Sequence, residues 1–121
     1  MIVDDDPIFR YISEKKIEKV SSDLVINSYS NGKEALDFLH ENYADEIFYY
    51  IFLDINMPVM DGWEFLGKLE KAAFIKTGNV SIHIVSSSVD ESDIKKSESY
   101  GLVQGFLHKP LSQDIIKSII A

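Results

Sequence analysis

The sequence predicts a doubly wound α/β domain whose five-stranded parallel sheet has the strand order 2-1-3-4-5. Short apolar runs alternate with helical patterns along all 121 residues, which is typical of a parallel sheet covered by helices. The run at 47–53 is apolar and aromatic on both faces, as expected of a central strand. Right-handed crossovers between consecutive strand–helix units favour this strand order.

The first strands and helices are predicted from residues that favour helix starts as well as from the pattern of apolar residues. An apolar start that leads into acidic residues predicts the end of a first strand at 1–4. Pro7 suits the first turn of a helix, and this helix is predicted to run to about Ser21. Alternating apolar residues predict a second strand over 24–29, and Asn31 is a favourable N-cap for the second helix.

The same alternation of runs and helical patterns continues to the end of the chain. Later strands are predicted at 47–53, 80–85 and 103–107, and later helices at 62–75, 90–100 and 111–120. Spacings of three and four residues predict the core-facing side of the first three helices. These residues are Phe9, Ile12 and Val20, then Ala35, Leu36, Leu39 and Tyr43, then Phe65, Leu66, Leu69, Ala72 and Ala73.

The composition limits the classes of function. The chain has 45% hydrophobic residues, no cysteine and a net charge of −8, so disulfides and thiolate chemistry are excluded and direct contact with DNA is disfavoured. No apolar run approaches the ~20 residues that a membrane span needs. We expect one soluble, cytoplasmic domain over 1–121, trimmed at both ends, because the first strand is short and the last helix reaches Ala121 without a cap.

Charged side chains follow three of the predicted strands. Asp4 and Asp5 follow the first strand, Asp54 follows the third, and Lys109 follows the fifth. Strands one and three are neighbours in the predicted order, so the three acids should converge at one edge of the sheet. Carboxylates this close repel by roughly 1–4 kcal/mol per pair. The cluster therefore predicts a divalent cation, and oxygen ligands favour Mg²⁺.

The same edge has the groups that phosphoryl transfer needs. Asp54 stands alone at the central strand end, and a carboxylate nucleophile there can form an acyl phosphate. Lys109 supplies a positive charge, Ser86 a hydroxyl donor, and Asn56 a backbone carbonyl for the metal. Each feature alone has an ordinary explanation, such as a helix-start acidic cluster or a solvated lysine. Their joint position at successive strand ends favours a functional site.

The motifs that carry these residues are familiar together. They are Val3-Asp4-Asp5-Asp6-Pro7, the run from Leu53 to Gly62 (LDINMPVMDG), Ser86, and Lys109-Pro110. The chain resembles, over essentially all of its length, the receiver domain of two-component response regulators in the CheY-like superfamily. That resemblance implies a flavodoxin-like (βα)5 fold and a phosphorylation-controlled signalling switch that is not an enzyme acting on other substrates.

The resemblance also implies roles for individual residues. Asp54 would accept the phosphoryl group from a histidine kinase or a histidine phosphotransfer protein, and the downstream effector is unknown. Mg²⁺ would be held by Asp5, Asp54, the Asn56 carbonyl and Asp4, the last directly or through water. Ser86 and Lys109 would hold the phosphoryl group, and the Lys109–Pro110 peptide bond would be cis.

The resemblance also implies that Ser86 and Phe106 form a conformational switch. In the family, an aromatic side chain on the fifth strand turns inward when the strand-four hydroxyl moves toward the phosphate. Phe106 lacks a hydroxyl, so we expect it to prefer the inward position even without phosphate. The stretch between Ser86 and Lys109 is one residue longer than in the commonest members, around 101–105, which leaves Ser87 as an alternative to Ser86.

Three other functions are compatible with parts of the pattern. A degenerate receiver would only bind partners, but the intact acid, hydroxyl and lysine set disfavours it. A haloacid-dehalogenase-like phosphohydrolase needs a second acid two residues after the nucleophile, where this chain has Asn56. A flavin carrier of similar topology needs a hydroxyl- and glycine-rich loop after the first strand, where this chain has acids.

Overall fold

A parallel five-stranded sheet in the order β2-β1-β3-β4-β5 confirms the predicted topology. The computed structural model describes residues 1–75 and 78–120. The strands are β1 (Ile2–Val3), β2 (Ser28–Tyr29), β3 (Tyr49–Leu53), β4 (Val80–Ser86) and β5 (Val103–His108). The helices are α1 (Pro7–Val20), α2 (Gly32–Asn42), α3 (Gly62–Glu70), α4 (Glu91–Ser97) and α5 (Gln113–Ile120).

Each face of the sheet has its own apolar core. Val3, Leu53 and Ile84 face the side covered by α2 and α3 and belong to the larger buried cluster. Ile2 and Phe52, their neighbours along the strands, belong to a second cluster with residues of α1 and α5. Because successive strand residues point to opposite faces, the apolar run of the central strand supplies both cores.

The residues predicted to mark the starts of α1 and α2 are found at those positions. Asn31 caps α2 by accepting a hydrogen bond from the Glu34 backbone N–H at 2.9 Å. Pro7 is the first residue of α1, and the Asp6 carboxylate before it accepts from the Ile8 N–H at 2.9 Å. Caps of this kind satisfy N–H groups that have no partner within the helix.

Three strands are shorter than predicted, and the first of them, β1, covers only Ile2–Val3 of the predicted 1–4. β2 covers only Ser28–Tyr29 of the predicted 24–29, and Val25 is 85% exposed. Its pairing partner β1 has two residues, so only two rungs can form between them. β3 begins at Tyr49 instead of residue 47, and Ile47 and Phe48 are about half exposed, since alternation of side chains does not reveal where pairing ends.

Three helices are also shorter than predicted. α3 ends at Glu70 instead of residue 75, α4 spans Glu91–Ser97 instead of 90–100, and α5 begins at Gln113 instead of residue 111. Residues 71–75 and 98–100 form turns or irregular chain, with Ala73 exposed. Leu111 is buried without being helical, because apolar residues beyond a helix end still pack on the core. The expected lack of a cap at Ala121 lies outside the described residues.

The core-facing stripe of α1 differs from the predicted one. Ile12 is 45% exposed, whereas Ser13 and Ile17 are buried. Phe9, Ser13 and Ile17 are spaced four residues apart and lie on one helix face, and Ile12 is rotated away from that face by one residue. The hydroxyl of Ser13 made the buried face hard to recognise from hydrophobicity.

A bulge in β5 affects the register with β4. Ile82 lies opposite Val103, but His83 lies opposite Gly105, so Gln104 is an extra residue on β5. It falls within 101–105, where the sequence is one residue longer than expected. Pairing is regular again from His83 onward, so the bulge leaves the carboxyl end of β5 aligned with that of β4.

No helix among residues 1–75 and 78–120 is both long enough and apolar enough for a membrane span.

Candidate functional site

Three carboxylates meet at the carboxyl ends of β1 and β3. Asp4, Asp5 and Asp54 each place a carboxylate oxygen within 4.8 Å of the other two. The strands align these ends, since the Asp54 backbone N–H donates to the Val3 carbonyl at 2.9 Å. The convergence expected from the strand order is therefore present in the structure.

The three acids differ in exposure. Asp4 is 1% exposed and Asp54 is 6% exposed, whereas Asp5 faces solvent. Burial raises the pKa of Asp54 to about 6, and the nearby charge of Asp4 adds to that shift. The Lys109 ammonium and the hydrogen bond from the Asn56 N–H to Asp54 Oδ1, at 3.3 Å, oppose it. A buried carboxylate beside another carboxylate is poorly solvated, which favours a bound cation.

The Lys109 side chain reaches this cluster from the end of β5. Its Nζ lies 2.7 Å from Asp4 Oδ2 and 3.8 Å from Asp54 Oδ2. The Lys109 backbone N–H donates to the Ser86 carbonyl at 2.8 Å, and the Lys109–Pro110 peptide bond is cis. The ammonium therefore lies close to both buried acids.

Ser86 is the last residue of β4 and is buried, whereas Ser87 is exposed. The Ser86 Oγ accepts a hydrogen bond from the Ser88 N–H at 3.3 Å. Its position at the strand end, beside Lys109, favours Ser86 over Ser87 as the hydroxyl of this site. Within residues 1–75 and 78–120 the Ser86 hydroxyl donates to no other group, so its hydrogen could bond an anion.

The loop after Asp54 is closely packed against the end of β3. The Gly62 N–H donates to the Ile55 carbonyl at 3.1 Å. A Cβ atom at Gly62 would lie 2.6 Å from the Asp54 carbonyl oxygen and 2.7 Å from Ile55 Cα. In the same loop Val59 has a φ of 72°, a left-handed conformation that is uncommon for a β-branched residue. The backbone that carries Asp54 thus depends on glycine at position 62.

The donor set fits Mg²⁺. Asp4 Oδ2 is buried and accepts no hydrogen bond from any group in the described part of the chain; its near neighbour is the Lys109 ammonium. Three carboxylates offer hard oxygen ligands, and exposed Asp5 leaves one side open to water, which Mg²⁺ commonly retains. Among the described residues, this cluster contains carboxylate ligands and no histidine or cysteine.

Two side chains near the site were not recognised from the sequence. The Phe9 ring lies beneath the Lys109 ammonium, 4.5 Å from ring centroid to Nζ. Arg10 Nη1 donates to the Asp4 carbonyl oxygen at 2.6 Å. The available signal was their place in the first turn of α1, directly after the acids.

Comparisons with known proteins agree with this geometry. Residues 1–121 match the family described as "Response regulator receiver domain". A two-component response regulator from Cytophaga hutchinsonii has a similar structure, with a TM-score of 0.87 and 28% identity, covering 98% of this chain and 90% of that one.

Curated relatives include much longer proteins. The transcriptional regulatory protein FlgR of Helicobacter pylori is 34% identical over 117 residues, covering 95% of this chain and 26% of FlgR. Hybrid signal transduction histidine kinase L of Dictyostelium discoideum is 31% identical over 121 residues, 99% of this chain and 7% of that kinase. The chain spans about half the length or less of several curated relatives. It belongs to the response regulator receiver domain family of two-component signalling.

Proposed function

We propose that this receiver domain works as a switch in which Asp54 accepts a phosphoryl group from the phosphohistidine of a histidine kinase or phosphotransfer protein. The observation that carries the proposal is the position of Asp54. Its carboxylate lies at the end of the central strand, between two acids that fit Mg²⁺ and a lysine ammonium 3.8 Å away. The relatives include histidine kinases as well as response regulators.

The transfer forms one bond and breaks another. An Asp54 carboxylate oxygen attacks phosphorus, the phosphorus–nitrogen bond of phosphohistidine breaks, and the released imidazole nitrogen takes up a proton from solvent. The product is an acyl phosphate. Water later attacks the phosphorus, which returns inorganic phosphate and the free carboxylate.

Neighbouring residues would neutralise and orient the transferred group. Asp4, Asp5, Asp54 and the Asn56 carbonyl would hold Mg²⁺, which when bound neutralises charge on the phosphoryl oxygens. Lys109 would ion-pair with one of these oxygens, and the Ser86 hydroxyl would donate a hydrogen bond to another.

The response to phosphorylation would pass through β4 and β5. Phe106 is partly buried and packs against the larger core cluster, next to a groove lined by Ile94 and Ser97 of α4. Movement of the Ser86 hydroxyl toward the phosphate would leave room for Phe106 and change the face that α4 and β5 present to an effector. The inward preference of Phe106 remains a prediction, and a side chain pointing to solvent in the unmodified protein would contradict it.

Labelling by acetyl phosphate tests the acceptor. With Mg²⁺ present, the wild-type chain should gain one phosphoryl group by mass spectrometry, and Asp54→Asn should gain none. Asp61→Asn is the matched control, because Asp61 caps α3 and asparagine is also a good N-cap; it should label normally. Label that persists in Asp54→Asn would remove Asp54 from its role, and a folded wild-type chain that never labels would be a receiver that only binds partners.

The first helix has a surface suited to a phosphodonor protein. Ile8, Tyr11 and Ile12 are 69%, 61% and 45% exposed and lie at helical spacing beside Phe9, which contacts Lys109. An apolar helix face next to the acceptor would pack on a helix of the donor and bring its histidine to Asp54.

We expect Tyr11→Ala to slow phosphoryl transfer from a phosphorylated histidine phosphotransfer domain by roughly tenfold, the effect of losing one aromatic interface anchor. Labelling by acetyl phosphate, which needs no docking, should be unchanged. Val25→Ala is the control, since Val25 is 85% exposed and lies before the start of β2, whereas Asp54 follows the end of β3. Equal rates of transfer to wild type and Tyr11→Ala would show that this surface does not dock the donor.

A further inference from the structure

Lys109 contacts an aromatic ring as well as the two buried acids. Its Nζ lies 4.5 Å from the centroid of the Phe9 ring, 2.7 Å from Asp4 Oδ2 and 3.8 Å from Asp54 Oδ2. The side chain is only 19% exposed. Phe9 packs against the core cluster between the sheet and α1, so its ring is held in place by the fold.

The ring and the acids attract the ammonium in different ways. When a cation or a proton binds the two carboxylates, their negative charge is neutralised and their attraction for the Lys109 ammonium weakens. The attraction between an ammonium and the face of a ring comes from the ring quadrupole, which neither event changes. The attraction of the ring for the ammonium would therefore persist when a cation binds Asp4 and Asp54.

We propose that Phe9 is a positioning residue that keeps the Lys109 ammonium beside Asp54, where an oxygen of the phosphoryl group would lie. The inference rests on the proposed acceptor function of Asp54. It adds α1 to the elements that build the site, because a flexible lysine side chain just after β5 packs against a fixed ring on α1. Preorganised charge of this kind acts without reorganisation during the transfer.

The contact itself is testable without metal or phosphate. Because Lys109 Nζ lies 4.5 Å from the centroid of the Phe9 ring, protons on the carbon bonded to Nζ should have NMR resonances shifted upfield by the ring current. Phe9→Leu should return them to ordinary lysine values, and Phe9→Tyr should retain the shift. Ordinary values in the wild-type chain would overturn the proposal.

The positioning role is tested by a double-mutant cycle on the acetyl phosphate labelling rate at saturating Mg²⁺. Phe9→Leu should slow labelling about two- to fivefold, the loss expected for one cation–π contact, and Phe9→Tyr should restore the rate. In a Lys109→Met background, Phe9→Leu should have no further effect. An equal loss in both backgrounds, or failure of tyrosine to restore the rate, would reduce Phe9 to a packing residue.

Failure of this inference is distinguishable from failure of the proposed function. A wild-type chain that labels on Asp54 while the cycle shows no coupling overturns only the role of Phe9. A wild-type chain that does not label overturns the acceptor function, and the metal-free NMR measurement still decides whether the ring holds the ammonium.

Discussion

Replacing Gly62 with alanine is expected to lower the free energy of unfolding by roughly 3 kcal/mol, the upper range for inserting an atom into a packed site. The new Cβ would lie 2.6 Å from the Asp54 carbonyl oxygen and 2.7 Å from Ile55 Cα. Both are backbone atoms, so rotation of a side chain cannot relieve the overlap. Urea denaturation, followed by circular dichroism, measures the loss.

Gly67 provides the control in the same helix. Nothing lies within 4 Å of a Cβ built at Gly67, so Gly67→Ala should raise stability by up to about 1 kcal/mol through helix propensity. Gly62→Ala should also weaken Mg²⁺ binding, because it displaces the backbone that carries Asp54, whereas Gly67→Ala should not. Similar stabilities for the two variants would show that the loop adapts to a side chain at position 62.

In the absence of Mg²⁺, the protein is expected to lose stability as pH rises from about 4 to about 6. The pKa of Asp54 is raised from 3.8 to about 6 by burial first and by Asp4 second. A carboxyl group whose pKa is higher in the folded state than in the unfolded state stabilises the fold fully at pH values below the unfolded pKa. This contribution is lost as pH rises and the carboxyl ionises in the folded protein. At 1.36 kcal/mol per unit, the loss is at most about 3 kcal/mol.

Asp54→Asn isolates this contribution from those of other acids. The variant should be more stable than wild type at pH 7 without metal, and the difference should shrink toward pH 4. Mg²⁺ should stabilise wild type at pH 8 more than at pH 4.5, because it binds the ionised carboxylates. Thermal melts across this range measure both effects, and a wild-type profile parallel to that of Asp54→Asn would contradict the raised pKa.

Elements with a strong local signal were predicted well. Asn31 and Pro7 mark helix starts through their own chemistry, and the run ending at Leu53 is apolar enough to be a central strand wherever it pairs. Boundaries that depend on a pairing partner were predicted poorly. β2 begins only at Ser28, instead of residue 24, because the two residues of β1 pair only with Ser28 and Tyr29.

The candidate site also has features that could be predicted from the sequence and features that could not. Strand order alone brought Asp4, Asp5 and Asp54 to one edge, because parallel strands present their carboxyl ends together. The hydrophobic pattern misplaced Ile12 in the core, and so it did not predict the exposed apolar face that Ile12 forms with Ile8 and Tyr11 on α1.

The order of the strand–helix units and the types of side chain at the strand ends follow from the order of the residues alone. The three-dimensional packing was needed to place the Lys109 ammonium over the Phe9 ring and to bury Asp54, which raises the pKa of that carboxyl to about 6. Both depend on distances between groups far apart in the chain, and on the water that packing excludes. A local pattern of residues contains neither quantity.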